Sequence, residues 1–365
     1  MHEELHEVAV IGNGIAGSVA CLRLKALGLN PIWIAPSFEM KNKPGEHLAP
    51  AARPLLKRVG ADHLLDRYYH REANTMFSAW GSEHIAERNA IVHLEGPGTV
   101  IDRSRFETEL LDLAIQSGVC RFDGAVSEIT REGNNWRLVA EGKVVRAQFV
   151  IDASGRMAIL ARDKAERYRA DQLAALVAFP RQRADSVVAP TRATLIESVF
   201  DGWWYASLLG DGRLALNYYT DPDLLPREVT RDVDVFKNLV NASVHIKRWL
   251  AEANFGLDEP PELVSAGTTW IAPAADAGWA AVGDTAAAFD PLSSHGITTA
   301  LWTAITVADA VPEVLRGSTG PLIDYSLKVA HGVQDYLETR LKVYNSEARF
   351  KDSVFWQRRQ DEKSL

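Results

Sequence analysis

Cysteine is almost absent: Cys21 and Cys120 are the only two in 365 residues. That excludes a disulfide-built secreted scaffold. Positive charge is also short, with 40 Lys+Arg against 48 Asp+Glu and a formal net charge of −8. A chain of that sign is not built as a general nucleic-acid binder, because phosphate backbones select basic surfaces. No apolar run approaches the roughly 18 residues of a membrane span. The opening Met1-His2-Glu3-Glu4-Leu5-His6-Glu7 lacks the basic and apolar regions of a signal peptide. The expectation is a cytoplasmic protein that engages neither membrane nor nucleic acid. Repeats, low-complexity tracts, a Gly-x-Ser-x-Gly elbow and a Walker loop are all missing.

What is present is an ordinary globular composition, 47% hydrophobic and 24% charged, over a length that exceeds one typical core. Val8-Ala9-Val10-Ile11 reads as a strand buried on both faces of a parallel sheet. Gly12-Asn13-Gly14-Ile15-Ala16-Gly17 follows it, then a helix over 18–27 and a second strand, Pro31 to Ala35. A Gly-x-Gly-x-x-Gly in that context is a dinucleotide fingerprint: a tight turn, a close backbone approach for pyrophosphate, and close helix–strand packing. Phosphates then lie at a helix N-terminus, where free N–H groups and the dipole favour negative charge. The acid expected to bind the ribose is missing, since the second strand ends Ala35-Pro36-Ser37; Ser37, or Glu39 reaching back, takes that role. The glycines alone do not separate flavin from nicotinamide.

A second signal lies far downstream. Gly283-Asp284 closes the apolar strand Trp279 to Val282, and Asp290-Pro291-Leu292-Ser293-Ser294-His295-Gly296-Ile297 leads into a helix over 298–308. An acid at a strand end can hold a ribityl hydroxyl. A loop at a helix start offers N–H groups to the ring that carries negative charge in a reduced flavin. Between these signals, residues 164–269 change texture to aromatic-rich strands with Gly and Asp turns, as an inserted antiparallel sheet would. The expected architecture is α/β: a parallel-sheet, Rossmann-like FAD-binding domain (1–163 and 270–320), an inserted antiparallel-sheet substrate domain (164–269), and one long C-terminal helix (321–365).

Gly12-x-Gly14-x-x-Gly17, Asp152-Ala153-Ser154-Gly155-Arg156 and Gly283-Asp284 through Gly296-Ile297 together resemble the FAD-dependent monooxygenases of the hydroxybenzoate-hydroxylase fold. Gly45-Glu46-His47-Leu48-Ala49-Pro50, Ser78-Ala79-Trp80-Gly81, Ile101-Asp102-Arg103, Gly202-Trp203-Trp204-Tyr205 and the tail from Arg340 to Arg359 resemble the branch that holds flavin-dependent tryptophan halogenases and related hydroxylases. The resemblance implies FAD held by Gly12, Asn13, Gly14, Ala16, Gly17, Ser37, Arg103, Gly283, Asp284, Pro291, Gly296 and Ile297. It implies O₂ as oxidant, with NAD(P)H or a separate flavin reductase as electron source; no second glycine fingerprint marks a nicotinamide domain. The halogenases of that branch use a lysine a few tens of residues after the Gly45-Glu46 segment. This chain has no lysine between Lys57 and Lys143, and Trp203-Trp204-Tyr205-Ala206-Ser207-Leu208 stands where halogenases read Trp-x-Trp-x-Ile-Pro. The reading is therefore hydroxylation of an electron-rich aromatic ring, with a halogenase or a flavin reductase/desaturase as alternative. The substrate is an aromatic small molecule or a tryptophan in a partner protein, the latter from resemblance to the maturation flavoproteins of tryptophylquinone oxidases such as lysine ε-oxidase and glycine oxidase.

Single residues have two readings each. His295 is a catalytic candidate that donates to flavin, orients substrate or shuttles a proton, or else it bonds backbone at a helix terminus. Trp80, Trp203 and Trp204 line a pocket for a flat ring, or else they are core. His2-Glu3-Glu4-Leu5-His6 matches the zinc pattern His-Glu-x-x-His, but runs straight into the first strand without room for the helix it needs. No metal site is expected.

Overall fold

The computed structural model describes residues 5–37, 42–89 and 96–360. Among them are eight helices: α1 (Ile15–Ala26), α2 (Ala52–Lys57), α3 (Arg103–Gln116), α4 (Val233–Asn241), α5 (His245–Glu252), α6 (Gly296–Leu315), α7 (Gly320–Asn345) and α8 (Val354–Gln360). The zinc-like match at 2–6 and Glu39 fall partly or wholly outside the described residues.

Leu5–Ile11 is the middle of the first sheet, with Ile32–Ala35 parallel on one side and Lys143–Asp152 parallel on the other. Cys120–Asp123 and Trp279–Ala281 extend it, also in parallel, and the strands Val126–Glu132 and Asn135–Ala140 add an antiparallel flank. Val8 to Ile11, Ile32 to Ala35 and Phe149 to Asp152 are wholly buried, as strands covered on both faces must be. The register aligns Ile11 with Ile34 and Asp152, and Asp152 with Ala281. All four strands thus end along one edge of the sheet, where ligands of such folds bind.

The second sheet runs in the order Glu262–Ser265, Ala174–Ala178, Leu214–Thr220, Gly202–Leu208, Thr194–Val199, Thr75–Ala79, Ala86–Asn89. Five of these strands come from the aromatic-rich stretch. The other two come from 75–89, where Thr75–Ala79 adds in parallel to Thr194–Val199 and covers what would be an open edge. Every residue of Gly202–Leu208 and Leu214–Thr220 is buried, because both faces are covered. Trp204, Leu216 and Tyr218 face a core with Phe236 of α4 and Ile246 of α5; Trp203, Tyr205 and Tyr219 face the other way, toward Tyr344, Phe355 and Trp356.

The single terminal helix expected from the sequence is two helices, α7 and α8, with 346–353 between them. Glu347 is the physical reason. Its carboxylate turns inward, nearly inaccessible, and accepts from Gly81 N at 2.8 Å and Ser198 Oγ at 2.6 Å, with Arg349 beside it at 2.6 Å. A continuing helix could not deliver that side chain and those partners together.

Candidate functional site

Residues from both halves of the chain meet in one cleft at the C-terminal edge of the parallel sheet. It is lined by Gly14 and Ala16, by Gly45 and Arg103, by Gly283 and Asp284, and by Pro291, Gly296 and Ile297. Gly12 and Gly17 shape it from behind. Gly12 has φ +109°, and a Cβ there would lie 2.3 Å from Ala153 O; a Cβ on Gly17 would lie 2.1 Å from Gly12 O. No other residue fits either place. Gly14, by contrast, faces open space and caps α1 with extended backbone. That is the division of labour a pyrophosphate cradle requires: two glycines to close the turn and one to leave room at the helix start.

Asn13 and Ser37 lie outside the cleft lining. The Asn13 amide donates to Pro36 O at 3.2 Å, tying the glycine loop to the end of the second strand, and Ser37 is exposed just beyond it. Arg121 reaches the same strand end, donating to Pro36 O at 2.9 Å while its guanidinium lies over Trp33. The end of the second strand is thus framed by an arginine, which the sequence reading missed.

Arg103 opens α3 and crosses to the 42–50 segment. It donates to Pro44 O and pairs with Glu107 at 2.8 Å, and Glu107 also meets Lys43 at 2.5 Å. Asp152, at the end of its strand, is a structural bolt: it accepts from Ser154 N and Oγ and from Leu160 N and Ala161 N within 2.5–3.0 Å. Arg156 lies 3.9 Å from Asp284. Asp284 stays partly exposed, available to a hydroxyl-bearing ligand.

The loop into α6 is held by Asp290. Its carboxylate accepts from Leu292 N at 2.9 Å and Tyr344 OH at 2.5 Å, with Arg340 at 3.7 Å. Burial raises the Asp290 carboxyl above its ordinary value, while Arg340 and Tyr344 oppose that rise. Ser294 takes φ +53°, and the chain enters α6 at Gly296 with a buried Ile297 behind it. His295 does not line the cleft. It lines a second, mostly apolar cavity of about 620 Å³ between α6 and α7, with Thr298, Trp302, Tyr336 and Arg340. Phe289 borders both spaces.

The three tryptophans separate. Trp203 lines the cleft, stacked on Tyr219 at 4.0 Å, with its Nε1 donating to Tyr344 OH at 3.2 Å. Trp204 is on the opposite face of the same strand, against Tyr218 and Phe236, because successive strand residues alternate sides. Trp80 lines neither space; it donates to Val343 O at 3.0 Å and meets Trp203, Tyr344 and Trp356 edge-on. Trp204 and Trp80 are therefore packing residues. The residues that replace them are Tyr205, Tyr219, His47 and Glu46, which line the cleft together with Trp203. Alternation along 202–208 carries the signal for Tyr205. Glu46 had none beyond its place in a conspicuous segment.

Glu46 is 2% exposed. Burial pushes its carboxyl up to about 7, with backbone N–H groups, Arg103 and Asn217 pulling the other way. Burial lowers the neighbouring His47 as well. A carboxyl poised near neutrality in a cleft is the kind of group that can hold or move a proton. Among the described residues no lysine lines this cleft, and no cluster of three or more metal-binding side chains is found. No helix is long and apolar enough to cross a membrane.

A family model described as tryptophan halogenase matches residues 97–365. A putative FAD-dependent oxidoreductase, LodB, from Marinomonas mediterranea is 25% identical over 303 residues, covering 77% of this chain and 76% of its own. Among solved structures, the flavin-dependent halogenase CmlS superposes with a TM-score of 0.86 at 21% identity, over 99% of this chain and 68% of that one. QhpG, a peptidyl tryptophan dihydroxylase essential for tryptophylquinone cofactor biogenesis, superposes with a TM-score of 0.79 at 24% identity, over 98% and 79%.

Proposed function

The chain belongs to the tryptophan halogenase family, and from that premise we propose that it is an FAD-dependent monooxygenase that hydroxylates an electron-rich aromatic ring. The favoured ring is a tryptophan side chain of a partner protein, modified during quinone cofactor biogenesis. Similarity to LodB, a putative FAD-dependent oxidoreductase, supports the redox chemistry, and similarity to the peptidyl tryptophan dihydroxylase supports the finer reading. The observation that carries it is the lining of the cleft: aromatic side chains and a buried carboxyl, with no lysine among the described residues that line it.

FAD, when bound and reduced, supplies the electrons and the activated oxygen. Gly12, Gly14, Ala16 and Gly17 would hold its pyrophosphate, and Ser37 with Arg121 would flank its ribose. Asp284 would take the ribityl hydroxyls; Arg103, Pro291, Gly296 and Ile297 would seat the ring. The start of α6 places N–H groups and the positive end of a 20-residue helix at that seat, which stabilises negative charge there. Trp203, Tyr219 and Phe289 exclude water from the cleft. The cavity between α6 and α7 gives room for the peptide that flanks the reacting side chain, with His295 on its wall. Electrons reach FAD from NAD(P)H directly or from a separate flavin reductase.

A halogenase is the second reading, favoured by the family match itself. One experiment separates them. The FAD-loaded protein is given NADH, a flavin reductase, O₂, chloride, bromide and a tryptophan-containing peptide. The expected product carries one or two added oxygen atoms by mass spectrometry. A brominated or chlorinated peptide instead would establish the halogenase.

A further inference from the structure

Four buried polar atoms of one small region have no hydrogen-bond partner among the described residues: Glu46 Oε1, Tyr205 OH, and both Nδ2 and Oδ1 of Asn217. Buried polar groups are normally paired, so such a concentration needs a reason. The second sheet brings three of the atoms together. Tyr205 and Asn217 are directly opposite each other on neighbouring strands, and Trp203 and Tyr219 are the next such pair on the same face. Glu46 comes from the other side of the cleft, where Ile101 N donates to its main-chain oxygen at 2.8 Å. Burial raises the Tyr205 and Tyr219 hydroxyls and the Glu46 carboxyl adds to that rise, while the Asn217 side chain is close enough to Glu46 to oppose the burial-driven rise of its carboxyl.

The space beside this cluster is walled largely by aromatic and aliphatic side chains. Trp203 and Tyr219 stack at 4.0 Å, and Ala175, Val264 and Ala266 complete the wall. An aromatic ring fits such a slot. The charge pattern selects among aromatic rings. A carboxylate or phosphate on the ligand would meet the Glu46 carboxyl, while of the two arginines that line the cleft Arg103 is committed to Glu107 and Pro44 O, and Arg156, 3.9 Å from Asp284, to Gly267 O. A ring that donates a hydrogen bond would instead satisfy Glu46, leaving Asn217 and Tyr205 to pair with that ligand or with each other.

We propose that Glu46, Tyr205 and Asn217 are the polar anchor of the substrate slot and hold a planar aromatic ring through its ring N–H, as an indole presents. The inference rests on the aromatic-ring chemistry proposed above and adds the atoms that recognise it. Glu46 is a positioning residue for the ring, and the specificity follows from its need for a donor: a ring of equal shape without an N–H leaves a buried carboxyl unpaired. The isoalloxazine of FAD also carries a ring N–H, so the flavin is the other source of the same chemistry, and the test separates the two.

The FAD-loaded full chain is titrated with N-acetyltryptophanamide and with the analogue whose indole is replaced by benzothiophene, which keeps the shape and removes the N–H. Binding is read from flavin absorbance changes and by calorimetry, and FAD affinity is measured in parallel. The wild-type protein is expected to bind the indole probe at least tenfold more tightly. Glu46→Leu is expected to bring that ratio close to one, with FAD affinity unchanged and the melting temperature no lower than wild type. Tyr205→Phe removes a single oxygen and covers the case in which Glu46→Leu fails to fold; it is expected to lower the ratio partway. Equal binding of the two probes by wild type, or no binding of either, overturns the proposal. So does loss of FAD affinity in Glu46→Leu, which would assign the cluster to the flavin. Discrimination between probes is independent of product identity: a halogenated product would sink the hydroxylase reading alone, and a lost ratio with intact oxygen insertion would sink this one alone.

Discussion

At the scale of single residues, Gly14 and Glu46 make opposite kinds of prediction. A Cβ added at Gly14 would meet nothing within 4 Å, so Gly14→Asp should fold normally while placing a carboxylate where phosphate is to bind. The expected result is at least a tenfold loss in FAD affinity with an unchanged melting temperature; unchanged flavin content would remove the pyrophosphate assignment. Glu46 stores instability. Its carboxyl is raised from an ordinary 4.5 to about 7, chiefly by burial, so folding takes up a proton between those values. The stability it contributes is complete below about pH 4.5 and is lost as pH rises through about 7, on the order of 3 kcal/mol in all. Glu46→Gln is neutral throughout and should therefore melt higher than wild type at pH 8, the gap closing toward pH 5. A gap of equal size at both pH values would show that the carboxyl titrates ordinarily. His295 sits on the α6–α7 cavity wall, so His295→Ala should leave FAD content unchanged and raise KM for a peptide substrate. Unaltered kinetics would leave it a helix-terminus residue.

At the scale of elements, the C-terminal helices act as a clamp on both the second sheet and the loop into α6. Tyr344 of α7 bonds Asp290, Trp203 and, through ring contacts, Trp80 and Trp356. Arg359 of α8 is 1% exposed, pairs with Asp221 at 2.5 Å and lies over the Phe355 ring at 3.8 Å. Breaking a buried pair by removing one partner is strongly destabilising. Arg359→Ala should cost about 3 kcal/mol by denaturant unfolding, moderated because Arg358 still meets Asp221 at 2.8 Å. Glu347 works in the same direction. Burial alone would raise it, but Arg349, Ser198 and two backbone N–H groups hold its carboxyl down to about 2. The break at 346–353 was invisible in sequence, since nothing in Ser346 to Ser353 is proline or glycine. It exists because Glu347 finds partners more than a hundred residues away. Helix α3 shows the reverse: Asp102 caps it, accepting from Arg105 N at 3.2 Å, and Phe106, Leu110 and Ala114 are buried on one face. Both facts are local, set by contacts within one or two turns of the helix.

At the scale of the whole molecule, the cleft and the α6–α7 cavity are neighbours that share Phe289, and the lining of the cavity includes the exposed Lys328, Asp335 and Thr339. On the proposed reading a free amino acid would occupy the cleft alone, whereas a polypeptide would use the neighbouring cavity as well. The expected result is that tryptophan in a partner peptide reacts with kcat/KM at least tenfold above free tryptophan, measured by product mass with FAD and a reductase. Equal values would return the substrate to small molecules.

The sequence by itself determined the parallel-sheet ligand domain and the cradle, because a glycine that closes a turn or opens a helix is chosen by contacts within a few residues. Gly12, Gly14, Gly17, Gly283 and Gly296 were legible for that reason, as was the change to an antiparallel sheet after residue 164. Only the tertiary structure decided which side chains face one another. It joined strands 75–79 to 194–199, turned Trp204 into core and Trp203 toward the cleft, moved His295 to a neighbouring cavity, and set Glu46 opposite Tyr205 and Asn217. Burial is a property of the packed whole. The pairing of distant strands creates the low-dielectric space in which a carboxyl, a phenol and an amide become a recognition site.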